Sequence, residues 1–236
     1  MIPLRDRNPS GIFPAVTLAL IAANVIMFLY EVHLGPGLMT FLKHHALIPA
    51  EVTGSVRYHA IRYSETVEPF FTSMFLHGGW LHLIFNMWFL WIFGDNVEDT
   101  LGAFRYLCFY FLCGLAAALT QFAIQPHSTV PMLGASGAIA AVMGAYFVLY
   151  PHSRVLMLFP FPVFVFELPA VVFLVMWFLV QFLNGINQLP VFERNAVSGG
   201  VAFWAHVMGF VAGVILVVFM KRPERTRVEW WDTVGD

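Results

Sequence analysis

Six stretches of the chain are apolar almost without interruption, at 14–32, 70–93, 103–124, 135–150, 164–183 and 199–220. A helix needs ~20 such residues to cross a bilayer. Five of the stretches meet that length. The fourth has only about 16 residues, roughly 24 Å of helix against a ~30 Å hydrocarbon core, so one of its ends is expected to be recessed. The pattern predicts an all-α membrane protein, a bundle of six transmembrane helices with a short fourth helix. Residues 33–69 form the longest connection, mixing Lys43, Arg57 and Arg62 with Glu51, Glu65, Glu68 and apolar runs such as GLMTFL. It is expected to fold on the membrane interface. Residues 1–13 and 221–236 flank the helical domain, 14–220, as polar segments. No repeat of 20 to 50 residues is visible.

Composition agrees: of 236 residues 59% are hydrophobic and 11% charged, which excludes a soluble globular domain. A net charge of -2 offers no basic surface for nucleic acid. Cys108 and Cys113 lie five apart in one apolar run and point in different directions, so neither a disulfide nor a metal site is expected. No cofactor is implied. The opening MIPLRDRNPSGIFP leads into an apolar stretch with no small-residue cleavage site, which suits a retained first span better than a signal peptide. With the amino terminus inside, Arg5, Arg7, Arg105, Arg154, Lys221, Arg222, Arg225 and Arg227 lie inside, against Lys43, Arg57, Arg62 and Arg194 outside. Cytoplasmic loops collect Lys and Arg. The expectation is a multi-pass protein of the inner or plasma membrane with both termini cytoplasmic, the head of the fourth helix facing outward.

Polar side chains inside apolar spans are costly and turn toward the bundle interior, so they are site candidates. Here they are Ser136, His82, Asn86, His206, His77 and Glu167. Ser136 opens the fourth helix, His82 and Asn86 share one face of the second, and His206 lies near the outer end of the sixth. Ser136, Ala140 and Gly144 form a small-residue row, and Gly209 and Gly213 form another below His206; such rows let helices touch in lipid. Aligning them leaves Ser136 facing His206, a geometry for proton transfer from a serine nucleophile to a histidine base. The helix amino terminus, with its free N–H groups and positive dipole end, suits a developing oxyanion, and His82 and Asn86 can add donors. With no acidic residue at that depth, the reading is a Ser/His dyad without a third carboxylate. Taken singly, GASG reads first as helix packing, a lone His206 as a hydrogen-bonded core histidine, and H-x-x-x-N as an interhelical clamp. Gly134 and Gly137 serve backbone approach under either reading, and Glu167 belongs near the inner surface with a water path or a partner.

Three motifs in order change the weighting. HGGWLHLIFNMWFLWIFGDNVEDTLG in the second stretch, GASGA at the head of the fourth and AHVMGFVAG in the sixth resemble the rhomboid family of intramembrane serine proteases. The resemblance runs from PLRDRNPS to Met220. It implies a rhomboid-like bundle in which Ser136 is the nucleophile, His206 the base, and His82 and Asn86 help form the oxyanion hole, and it assigns Glu98 to a structural turn. It also implies a serine endopeptidase whose partners are transmembrane protein substrates within the lipid bilayer. Ala140 departs from relatives that carry a tyrosine stacked on the histidine, leaving Trp204, Phe203 or Phe210 to orient His206. The bulky run FLVMWFLVQFL of the fifth stretch reads as lipid-facing, and either this helix or a loop above the site is expected to move to admit substrate. Two alternatives are a catalytically silent relative that binds membrane proteins, and a transporter using the histidines as a relay. Zinc and aspartyl intramembrane proteases are disfavoured by the lack of H-E-x-x-H and of Asp within the spans.

Overall fold

The computed structural model describes residues 2–57, 62–192 and 201–222. Arg194, Arg225 and Arg227, counted above for orientation, lie outside them. The elements run β1 (Ile2–Asp6), α1 (Ala15–His33), α2 (Leu38–His45), α3 (Pro49–Arg57), α4 (Tyr63–Thr66), α5 (Pro69–Thr72), α6 (Trp80–Leu101), α7 (Ala103–Ile124), α8 (Ser136–Leu149), β2 (Arg154–Pro160), β3 (Val163–Pro169), α9 (Ala170–Phe192) and α10 (Phe203–Met220).

The helices α1, α6, α7, α8, α9 and α10 form the bundle expected of a polytopic membrane protein. Among the described residues, four helices are long and apolar enough to cross a membrane: α1, α7, α10 and the Ala170–Asn187 part of α9. The α8 helix has 14 residues, as short as its sequence required. The α6 helix departs from the expected 70–93. It begins at Trp80, because Pro69 and the Gly78–Gly79 pair interrupt the run before it, and continues to Leu101. It therefore carries Asp95, Glu98 and Asp99 in its last turns, beyond residue 93 where the apolar stretch ends. Glu98 belongs to this helix rather than to a turn. Its carboxylate, 1% exposed, accepts the Val16 N–H, the Thr17 N–H and the Thr17 hydroxyl at 2.8–2.9 Å. Those donors head α1 and have no intrahelical acceptor, so a buried acid on α6 caps α1.

Between these long helices, α8 is central, touching α6, α7, α9 and α10. Its contact with α10 is backbone on backbone. A methyl group added at Gly209 would meet the Gly137 carbonyl oxygen at 2.1 Å, and one at Gly213 the Ala141 oxygen at 2.1 Å. A methyl at Gly144 would meet the Phe210 oxygen almost as closely, at 2.2 Å. The row facing Gly209 and Gly213 is thus Gly137–Ala141. The expected row shares this contact: the Ala140 Cβ would stand 3.3 Å from a methyl at Gly209, Gly144 packs on Phe210, and Ser136 at the head of the row also borders the adjoining cavity.

A three-stranded antiparallel sheet, order β1-β2-β3, adds to the helical expectation at the end of the bundle opposite Ser136. Residues 164–169, expected to begin the fifth helix, form β3, and α9 starts at Ala170. A short apolar run of aromatic and branched residues suits a strand as well as a buried helix, and only length and flanking prolines separate them. Here Pro160, Pro162 and Pro169 bound the strands. Glu167 lies in this region with the partners expected of it, in ion pairs with Arg7 and, at 3.5 Å, Arg154. The β1 strand ties the amino terminus to the helices: the Asp6 carboxylate accepts from Asn96 at 3.0 Å and from the Tyr146 hydroxyl at 2.7 Å, Asn8 bonds Asn96, and the Trp88 indole donates to the Pro3 carbonyl at 2.6 Å.

The connection at 33–69 is mostly helical and packs against the segment that leads into α8. Leu47, fully buried, bridges to Met132, and the Ala50 N–H donates to the Ser128 carbonyl at 2.9 Å.

Candidate active site

The segment before α8 turns sharply into the helix. Gly134 adopts φ +116°, a left-handed conformation that side-chain-bearing residues avoid, and its N–H donates to the Ser73 carbonyl at 2.9 Å. Ser136 follows as the first helical residue, half-buried, at the mouth of a cavity. The first intrahelical donation here is from Ile139 N–H to the Ala135 carbonyl, so the N–H groups just before it point out of the ladder toward the cavity end of the helix.

Across the glycine seam, His206 is the fourth residue of α10, closer to the helix start than expected because α10 begins at Phe203. Its Nε2 lies 2.7 Å from the Ser136 Oγ, a hydrogen bond between two neighbouring helices. The ring is 9% exposed. Its other nitrogen, Nδ1, lies 2.9 Å from the Oε1 of Gln181 on α9. Trp177, one turn earlier on the same face of α9, packs its ring 5.9 Å from the imidazole at an interplanar angle of 35°. Phe203 makes an edge contact at 6.4 Å, as one of the residues expected to orient His206. Trp204 instead packs on Phe182, and Phe210 on Trp177 and Phe178.

Trp177 and Gln181 both fall in the run read as lipid-facing, which corrects that expectation. The run has two sides: Met176, Leu179, Val180 and Leu183 are exposed, while Leu174 is fully buried. The one amide in FLVMWFLVQFL, four residues after the tryptophan, is the sequence signal for the inward side.

His82 and Asn86 approach from α6. Asn86 is 7% exposed and its Nδ2 donor has no hydrogen-bond partner among the described residues. The Gly78 N–H donates to His82 Nδ1 at 3.4 Å, which leaves Nε2–H of the neutral ring as a donor. A methyl group added at Gly134 would lie 2.8 Å from that Nε2 and 3.5 Å from Asn86 Nδ2. Backbone and both donors thus crowd one wall. The cavity they share with Ser136 and His206 has a volume of about 720 Å3, and its lining is mostly apolar, with Leu81, Phe85, Met143 and Trp177 beside the polar Gln121, Gln125 and Ser128. Gly137 lets α8 meet α7, since a methyl there would stand 2.7 Å from the Ala117 Cβ. His77 is buried beside this wall, its ring 5.2 Å from His82 and its backbone N–H bonded to the Glu31 carboxylate at 3.1 Å. Among the described residues no three His, Cys, Asp or Glu side chains gather as a metal site, and Cys108 and Cys113 are free thiols.

The order of these elements has a counterpart among known proteins. The Rhomboid domain family matches residues 64–223, which takes in α6 through α10 and every residue of the cavity named above. The chain belongs to the rhomboid family. Rhomboid protein 1, mitochondrial, of Saccharomyces cerevisiae is 37% identical over 95 residues, 39% of this chain and 27% of the yeast protein. Rhomboid protease GluP of Bacillus subtilis is 39% identical over 74 residues, 31% of this chain and 14% of its own length. The presenilin-associated rhomboid-like protein, mitochondrial, of Homo sapiens is 28% identical over 151 residues, 62% and 36% of the two chains. This rhomboid therefore spans about a third or less of each of these relatives' length. One of the three is named a protease, and two are named for mitochondria.

Proposed function

We propose that this rhomboid is an intramembrane serine endopeptidase that cuts transmembrane segments of other membrane proteins with Ser136 and His206. The observation that carries the reading is the 2.7 Å contact between Ser136 Oγ and His206 Nε2, at the edge of a cavity with an unpartnered amide donor on its wall. His206 takes the hydroxyl proton as Ser136 Oγ attacks the scissile carbonyl carbon, and then gives it to the leaving amine as the C–N bond breaks. Water, activated by the same imidazole, frees the acyl group and restores the serine. The oxyanion is held by the Ser136 N–H, His82 and Asn86. A helical substrate hides its carbonyls in its own hydrogen-bond ladder, so it must unwind locally, and sequences with small or helix-weakening residues are the expected substrates. The apolar lining of the cavity supports a lipid-soluble segment as the ligand.

The same reading assigns the protein to a cell membrane with both termini cytoplasmic and the dyad in the outer half. Arg5, Arg7, Arg105 and Arg154, at or near the end of the bundle opposite Ser136, support it. Labelling with a fluorophosphonate probe in proteoliposomes tests the chemistry. The expected adduct is on Ser136, lost in Ser136→Ala and His206→Ala together with cleavage of a reconstituted transmembrane substrate. A folded wild-type protein that takes no probe and cuts nothing would instead be a silent rhomboid that binds membrane proteins.

A further inference from the structure

The dyad is short of one member on the sequence motifs alone, because nothing in GASGA or AHVMGFVAG fixes the imidazole. A neutral histidine has one protonated and one bare ring nitrogen, and it serves as a base toward Ser136 only if Nε2 is the bare one. The residue that meets the other nitrogen decides this. We propose that Gln181 is a positioning residue of the site: its side-chain carbonyl accepts the Nδ1–H of His206 and holds the ring in the tautomer whose Nε2 accepts the Ser136 proton. This inference rests on the protease reading above.

Three observations carry it. The Oε1 of Gln181 stands 2.9 Å from Nδ1 while Nε2 stands 2.7 Å from Ser136 Oγ, so the imidazole is held at both ends. An amide oxygen only accepts, which requires the proton on Nδ1. Trp177, on the same face of α9, packs its tilted ring against the imidazole, so a single helix supplies both the hydrogen bond and an aromatic neighbour. Ala140, 1% exposed, gives no aromatic ring on α8 to do the same. An amide is the economical choice in this setting: its dipole points its negative end at the imidazolium that forms, without bringing a net charge into an apolar bundle, where an unneutralised carboxylate is costly. A reversed amide would offer N–H to Nδ1, push the proton to Nε2 and silence the base.

The test uses the full chain in lipid nanodiscs, with 15N-labelled histidine and a reconstituted transmembrane substrate. In the wild type the His206 ring signals should report Nδ1–H. Gln181→Met keeps the volume and removes the acceptor; kcat should fall about 10²-fold with KM within about twofold, and the His206 signals should shift to mixed tautomers. Gln181→Glu keeps an acceptor at the same reach and should recover most of the lost kcat. Wild-type kcat in Gln181→Met, a loss carried by KM alone, or Nε2–H in the wild-type spectrum would overturn the proposal while leaving the protease reading intact. The converse pair, Nδ1–H bonded to residue 181 in a protein whose Ser136 takes no probe, would remove the protease reading and keep the tautomer assignment. The wild-type spectrum decides the question even if Gln181→Met fails to fold.

Discussion

At the scale of single residues, the most informative atom after Ser136 Oγ and His206 Nε2 is the Nδ2 of Asn86, a buried donor with no partner among the described residues. A donor left unpaired in a protein costs about 1–3 kcal/mol, which is tolerable if the reaction supplies its acceptor. Asn86→Ala should therefore lower kcat by about 10²- to 10³-fold with little change in stability, read as steady-state cleavage beside thermal unfolding. Gly134 answers to a different constraint. A methyl there meets a φ of +116° and the His82 ring at 2.8 Å, so Gly134→Ala should cost both stability and rate, and a variant that keeps wild-type turnover would contradict this geometry. Ser136, His206, His82 and Asn86 were legible because each belongs to a short motif whose members are neighbours on one helix. Gln181 and Trp177 were not, because their partner is on another helix at no fixed sequence distance. Hydropathy alone gave that stretch to the lipid.

Among the elements, the glycine seam and the buried cap are the joints that hold the site in register. Gly213→Leu drives a side chain into the Ala141 backbone, which cannot yield as a flexible side chain would. Separation of α8 from α10 should follow, seen as a lower Tm in detergent and loss of probe labelling at Ser136 together. Glu98→Ala strips the acceptor from two backbone donors and a hydroxyl at the head of α1, and an effect of about 2–4 kcal/mol on unfolding is expected. The α7 helix came out of the hydropathy pattern with its bounds intact, Ala103–Ile124, since Gly102 marks its start and no proline interrupts it. The α6 and α9 boundaries did not. The pattern measures apolarity, and both the loop before Trp80 and the strand before Ala170 are as apolar as the helices they precede.

For the molecule as a whole, the sheet is what the sequence concealed, because β1 and β2 are about 150 residues apart along the chain and pair only once α1 to α8 have folded. Its attachment should be sensitive to pH. Burial lifts the Asp6 carboxyl from 3.8 to about 7, opposed by the hydrogen bond from Tyr146 and reinforced by Asp95. The folded protein thus keeps a proton that the unfolded chain releases near pH 4. From this group stability declines as pH rises from about 4 to about 7, by up to ~1.4 kcal/mol per unit, and levels off above. Asp6→Asn should flatten that slope, measured as the difference in Tm between pH 5 and pH 8.

The same sheet also decides how α9 can move. The helix is pinned where it begins: the Ala170 N–H is bonded to the Ser153 carbonyl at 2.7 Å, the Val171 N–H to the Pro151 carbonyl at 3.1 Å, and β3 runs directly into it. A rod fixed at one end swings from that end. Gln181 lies eleven residues along, ~16 Å from the pivot, so a lean of only ~10° carries its amide ~3 Å, as far as the whole hydrogen bond to His206 is long. On the proposed protease reading, an α9 that leaned outward would let go of the imidazole and one that swung back would take hold of it again.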